Sequence, residues 1–201
     1  MKKVLIALAI SILAVSQVMA VVIGLPETIG QGKWQTGVTL GYAPTQNGNS
    51  SMKGYGILGR YGLNSNLDLY AELSNAVYET LGMTSVGLGL NWQFRSVQDT
   101  FADVALQLSV VKETGQSYGS ISNNTPVSLY LQAGKQNGAW TPFGGIGYTS
   151  NSGMTNYGLD LGTGYAFTSD WLGRIEADYN MNYSNGASND YSITGEFVKA
   201  L

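Results

Sequence analysis

Ten stretches of this chain alternate large apolar side chains with small or polar ones at a period of two, the pattern of strands with one oily face. In Lys33 to Ala43 the even positions hold Trp34, Thr36, Val38, Leu40 and Tyr42, while Lys33, Gln35, Gly37, Thr39, Gly41 and Ala43 fill the odd ones. The alternation returns in Met52 to Tyr61, Leu67 to Ser74, Thr84 to Phe94, Ala102 to Val111 and Thr125 to Lys135. It returns again in Trp140 to Thr149, Tyr157 to Phe167, Trp171 to Tyr179 and Tyr191 to Leu201. Such a chain builds sheet, and the question becomes which face of the sheet is inside.

The aromatic residues answer it. Trp34, Trp92, Trp140 and Trp171 all fall at one end of the strands, beside short turns, whereas Tyr42, Tyr55, Tyr148, Tyr157, Tyr179 and Tyr191 mark the other end. Rings with a polar handle favour the boundary between hydrocarbon and water, so two such levels describe a lipid slab around the oily face. The fold class expected is all-β, a closed antiparallel up-and-down transmembrane β-barrel of about ten strands, most near the roughly 9 to 11 residues a tilted strand needs. Eight strands result if Trp140 to Thr149 and Trp171 to Tyr179 are misread. A secreted soluble barrel or sandwich, with its apolar faces inside, is the competing arrangement.

Composition agrees with a wall built from alternation. Only 11% of residues are charged and 27 are glycine. Lys2 and Lys3 precede an apolar run from Val4 to about Val15, and Val18-Met19-Ala20 offers small residues to a signal peptidase. This predicts a signal peptide over 1–20, cut after Ala20, an outer-membrane barrel domain over 21–201, and export to a bacterial outer membrane. The run is shorter than the roughly 20 apolar residues of a spanning helix. Without the two leader lysines, eight basic side chains face thirteen acidic ones, which argues against nucleic acid as a partner. Cysteine is absent, so disulfides and thiolate metal sites are excluded.

Connections alternate in character. Leu63-Asn64-Ser65-Asn66, Gln136-Asn137-Gly138 and Thr168-Ser169-Asp170 are short turns at the tryptophan end, assigned to the periplasm. The tyrosine end carries Asn/Ser/Gly-rich segments at 44–51, 75–83, 113–124, 150–154 and 182–189. The first three of these and the last are where an extracellular ligand or host surface could be met, with Tyr118 and Tyr183 as aromatic contacts. Outer-membrane lipid is the other expected partner, and a monomer is the expected state. Two turns echo each other: Tyr61, Leu63, Ser65, Asn66, Leu67 and Glu72 match Tyr165, Phe167, Ser169, Asp170, Trp171 and Glu176 in spacing. A shared turn solution explains the match more simply than a binding motif.

The leader, these Tyr-x-Leu/Phe turns, the stretch Trp140-Thr141-Pro142-Phe143-Gly144-Gly145-Ile146-Gly147-Tyr148 and the strand Arg174-Ile175-Glu176-Ala177-Asp178-Tyr179 resemble the small OmpA/OmpX-type outer-membrane barrels. The resemblance implies a porin-like or structural protein at the cell surface of a Gram-negative-type bacterium. Two departures stand out. Members of that family commonly finish on phenylalanine, whereas this chain ends Phe197-Val198-Lys199-Ala200-Leu201 with Lys199 in the outward parity, and no peptidoglycan-binding domain is expected after the barrel.

The inward parity gathers the chemistry. It carries a polar network of Arg60, Asp68, Tyr70, Glu72, Asp103, Tyr130, Asp160, Arg174 and Glu176, joined by Asp178, Glu196, Asn91, Gln93, Gln107 and Gln132. A turn centred near Asn64 would set Arg60 opposite Asp68, within two residues. Such a network reads first as a plug that satisfies itself. The alternative is a narrow cation-preferring passive diffusion pore, because seven acids face two arginines and Gly37, Gly41, Gly54, Gly56, Gly87, Gly89, Gly145, Gly147, Gly158, Gly162 and Gly164 thin the inner wall. No enzyme is expected. Histidine is absent, which removes the usual base of serine-type membrane hydrolases, and what remains is a carboxylate pair, such as Asp160 and Glu176, sharing a proton. No cofactor or metal site is expected.

Overall fold

The computed structural model describes residues 25–44, 51–78, 81–96, 102–117, 120–151, 154–182 and 190–201. The leader with its cleavage site, Tyr118, Tyr183 and much of the 44–51 and 182–189 segments lie outside the described residues. The strands are β1 (Trp34–Ala43), β2 (Met52–Asn64), β3 (Leu67–Tyr78), β4 (Leu81–Arg95), β5 (Asp103–Ser117), β6 (Ser120–Asn124), β7 (Val127–Gly134), β8 (Trp140–Asn151), β9 (Met154–Ala166), β10 (Trp171–Asn182) and β11 (Asp190–Ala200). Every pairing is antiparallel, chain neighbours pair except that β5 takes both β6 and β7, and β1 closes the ring against β11 from Gln35↔Ala200 to Tyr42↔Ile193.

These strands make ten staves, not eight. β6 and β7 share one register on β5, with Val110↔Val127 below the break and Glu113↔Asn124 above it. Pro126 interrupts them because it has no N–H for the ladder, though its carbonyl still accepts from the Val111 N–H at 3.0 Å. Three segments read as loops turn out to be paired strand over most of their length, among them 150–154, which pairs through Asn151↔Met154. In 75–83 the β3–β4 ladder runs up to Tyr78↔Leu81, and in 113–124 the β5–β6 hairpin pairs as far as Ser117↔Ser120. Beyond the lipid boundary nothing demands an oily outer face, so the alternation fades while the hydrogen-bond ladder continues.

The faces are sorted as a membrane barrel requires. Leu88, Leu108, Leu131, Ile146 and Ile175 project outward and are exposed, whereas the lumen is lined by polar groups and glycine. This rules out the soluble arrangement with a dry apolar centre. At one end the outer wall carries Trp34 over Tyr61 at 4.5 Å, Trp140 over Tyr165 at 4.6 Å and Trp171 stacked on Phe197 at 4.8 Å, with Trp92 beside Phe94 at 5.7 Å. At the other end Tyr42, Tyr55, Tyr148, Tyr157, Tyr179 and Tyr191 are exposed, and Tyr148 meets Tyr157 edge-on at 5.6 Å. Lys199, the outward charge near the C-terminus, sits over the Trp171 ring at 5.6 Å, where its ammonium can reach headgroup water.

The echoed turns are the same solution built twice. Asn64 Oδ1 accepts from the Asn66 N–H at 2.8 Å, and Thr168 Oγ1 accepts from the Asp170 N–H at 3.2 Å. In each, a serine hydroxyl donates to the next side chain, Ser65 to Asn66 at 2.6 Å and Ser169 to Asp170 at 2.7 Å. Local side-chain acceptors take the N–H groups freed where the strand reverses.

Candidate functional site: the barrel lumen

All nine residues of the expected lumen network are buried inside the barrel. Arg60 and Asp68 are bonded at 2.7 Å, but not as a directly opposed pair. A bulge between Gly62 and Asn64 sets Arg60 across from Tyr70 and Gly62 across from Asp68, so the guanidinium reaches its carboxylate on the diagonal. Arg174 on β10 faces its register partner Glu196 at 3.2 Å, bonds Glu176 on its own strand, and lies over the Phe143 ring at 4.8 Å. Glu72 accepts from Thr39 at 3.3 Å, and Asp103 accepts from Gln93 at 2.6 Å.

A third chain of bonds crosses three strands. The Gln107 amide donates to Gln132 at 2.9 Å, and Gln132 donates to Asp160 at 2.6 Å. Gln132 on β7 and Asp160 on β9 are separated by β8, and they meet because the intervening residue is Gly145, whose added Cβ would lie 2.5 Å from Asp160 Oδ1. Asp160 and Glu176, the carboxylates with a catalytic claim, are thus taken by different partners, Gln132 and Arg174.

Inward glycines do not thin this wall into a passage. Tyr70 lies across from Gly89, Tyr130 from Gly147 and Phe143 from Gly162, each pair in direct register. A Cβ on those glycines would sit 2.2, 2.1 and 2.4 Å from the facing ring. The glycines are seats for three aromatic side chains inside the barrel.

One functional element escaped the sequence reading altogether. Residues 25–32 fold back across the mouth at the tryptophan end. Arg60 donates to the Glu27 carbonyl at 2.6 Å and, at 3.5 Å, to that of Leu25, which Asn91 also reaches at 3.5 Å. The Ile29 N–H donates to Asp68 at 3.2 Å, the Thr28 N–H to Gln93 at 3.2 Å, and the Thr28 hydroxyl to the Ser65 carbonyl at 2.7 Å. Gly32 N–H to Gly62 carbonyl at 2.8 Å ties the segment to β2. Its far end is apolar. Leu25 is 2% exposed and packs by Gly164, while Pro26 packs by Gly134. Burial, and then the nearby Asp103 carboxylate, push the Glu27 carboxyl above its usual range against the opposing pull of Arg60. The parity rule could not find this segment because it has no period; its only local signal is Pro26, which favours an extended residue before it.

Several lumen side chains are withdrawn from solvent. Asp68, Asn91 and Gln132 are 0% exposed, and Gln107 and Asp160 are 1% exposed. A cavity of about 30 Å³ between Leu25, Leu58, Arg60, Tyr70, Leu172 and Val198 has space for one or two waters. Leu58, Leu172 and Val198 point inward against the polar pattern and form an apolar collar with Leu25.

No family model matches the chain, and no curated protein matches it. Among solved structures it is similar to the β domain of the Bordetella autotransporter BrkA, with 12% identity and a TM-score of 0.55 over 84% of this chain and 98% of that one. It is also similar to a bacterial polysaccharide outer-membrane secretin, with 10% identity and a TM-score of 0.50 over 84% of this chain, and it spans 65% of the secretin's length. The N-terminal barrel of Pseudomonas aeruginosa OprF overlaps more loosely, with 11% identity and a TM-score of 0.40 over 86% of this chain and 99% of that one. At these identities the likeness is one of fold. The chain has the fold of an outer-membrane transmembrane β-barrel.

Proposed function

We propose that this chain is an exported outer-membrane barrel protein with a sealed lumen, whose role is structural or is exercised by its outward segments on partners at the cell surface. The observation that carries this reading is the burial of the nine network residues, with Tyr70, Tyr130 and Phe143 seated on facing glycines and the 25–32 segment bonded to Arg60 at the mouth. Carboxylates outnumber the two lumen arginines, which is what a cation-preferring pore would need, but ions follow water, and Asp68, Glu72, Asp103, Asp160 and Glu176 are buried from it.

Export rests on the leader and its cut after Ala20, and a monomer embedded in outer-membrane lipid rests on the continuous oily belt. The tryptophan end then faces the periplasm. The resemblance to OmpA/OmpX-type barrels lies in the turns and girdles, while ten staves enclose more space than the eight of the smallest barrels. Neither carboxylate arrangement nor residue composition supplies the base a hydrolase would use, so the role is assigned to binding or structure.

Planar-bilayer recording tests the sealed lumen. Silence across salts and voltages supports it, and steady cation-selective steps from the intact chain would replace it with the pore. Gel migration that shifts between unheated and boiled samples tests the membrane barrel itself.

A further inference from the structure

We propose that the mouth at the tryptophan end is a binding site for an extended apolar-proline peptide, which the chain's own residues 25–31 occupy in cis. The site reads main chain. Arg60 from β2 and Asn91 from β4 take the carbonyls of Leu25 and Glu27, and Asp68 from β3 and Gln93 from β4 take the N–H groups of Ile29 and Thr28. All four side chains are buried with the segment in place, and the polar side chain they engage is the Thr28 hydroxyl, which donates to Gln93 at 3.2 Å.

Apolar side chains are selected at two seats. A Cβ on Gly134 would fall 2.8 Å from Pro26 Cγ and one on Gly164 would fall 3.1 Å from Leu25 Cδ1, so the missing side chains are what make room for Leu-Pro. The connection to β1 is built to let the segment leave. Gly30 and Gly32 both have positive φ, at 90° and 75°, a conformation glycine enters and leaves without strain. Strand β1 itself stays anchored beyond that hinge by its ladders to β2 and β11. A docked segment on a glycine hinge, held by hydrogen bonds that water or another peptide backbone can replace, is an exchangeable occupant.

A cis segment competes at an effective concentration on the order of millimolar, so a peptide in trans gains access only when the cis copy is weakened. The test uses the full chain refolded in vesicles, with Thr28→Cys as the sole thiol. Leu25→Asp is introduced to undock the segment. The thiol should then react with a maleimide at least tenfold faster than in the Leu25 chain, while unheated gel migration shows the barrel still folded. The probe is a fluorescent synthetic peptide of residues 25–33. It should bind the Leu25→Asp chain saturably and at least tenfold more tightly than it binds the chain with Leu25, and slow the thiol's reaction no further. A peptide carrying Leu25→Asp and Pro26→Gly should not bind.

Three results would overturn the proposal: a thiol that stays protected in Leu25→Asp, an exposed thiol with no saturable peptide binding, or equal binding of the altered peptide. A folded barrel with no peptide site leaves the sealed lumen standing, because the bilayer recordings test that separately.

Discussion

Gly147→Ala should destabilise the folded barrel through one ring. Its new Cβ would lie 2.1, 2.4 and 2.5 Å from Tyr130 Cε1, Cδ1 and Cζ, against an optimal carbon separation of about 3.5 to 4.0 Å. The ring must therefore move by more than about 1 Å, and overpacking of this kind costs about 1 to 3 kcal/mol. Gly59→Ala is the control. That glycine faces outward with nothing within 4 Å of its added Cβ, so the substitution should be neutral or stabilise by about 0.4 to 1 kcal/mol through the unfolded chain. Urea unfolding in vesicles, followed by tryptophan fluorescence, reads both. A shift of the midpoint without a change in slope is a change in stability. In a Tyr130→Ala background the Gly147→Ala cost should fall below about 0.5 kcal/mol, since the clashing atoms are gone. Gly147→Ala as harmless as Gly59→Ala, or equally costly with and without the ring, would refute the seat.

Three other outcomes are expected. Leu88→Arg places a charge on the outer face, where Leu88 is 58% exposed, and should impair membrane folding by about 2 to 4 kcal/mol if near the midplane, whereas Gln93→Arg, beside Asp103, should be milder in the same urea assay. Arg174→Met leaves Glu176 and Glu196 without their shared cation and should cost about 3 to 5 kcal/mol, recovered in part by adding Glu196→Gln. The Glu27 carboxyl is raised when docked, so the docked state holds more protons, and docking strengthens as pH falls through that raised value and weakens above it. A spin label at position 28 should lose mobility on acidification from pH about 8 towards the ordinary glutamate value of 4.5, and Glu27→Gln, which removes the charge facing Asp103 and Arg60, should abolish the change.

Barrel closure and the inside-outside sorting were legible in the sequence because lipid imposes one rule on every residue of a stave. Where lipid ends the rule ends, and Asn75 to Met83 was read as loop although its backbone is paired up to Tyr78↔Leu81. The members of the lumen network were legible by parity, but their partners were not. Arg60 meets Asp68 on a diagonal, because the hairpin turns at Ser65-Asn66 and a bulge shifts the register by one, and Gln132 meets Asp160 over a glycine on the strand between them. Glycines 89, 147 and 162 looked like empty wall until the register set a ring on each. Residues 25–32 carry no pattern at all, since what holds them is supplied by strands 30 or more residues away, from Arg60 to Gln93.

The central claim is that leucine and valine meet lipid while the lumen is polar and dry. Methyl NMR of the unmutated chain in bilayers doped with a doxyl-labelled lipid measures it directly. The methyls of Leu88, Leu108, Val110 and Leu131 should broaden, and those of Ala105 and Val111, which are 0% and 1% exposed inside the barrel, should be spared. Broadening of Ala105 and Val111 with sparing of the leucines, or no difference between the two sets, would contradict the account.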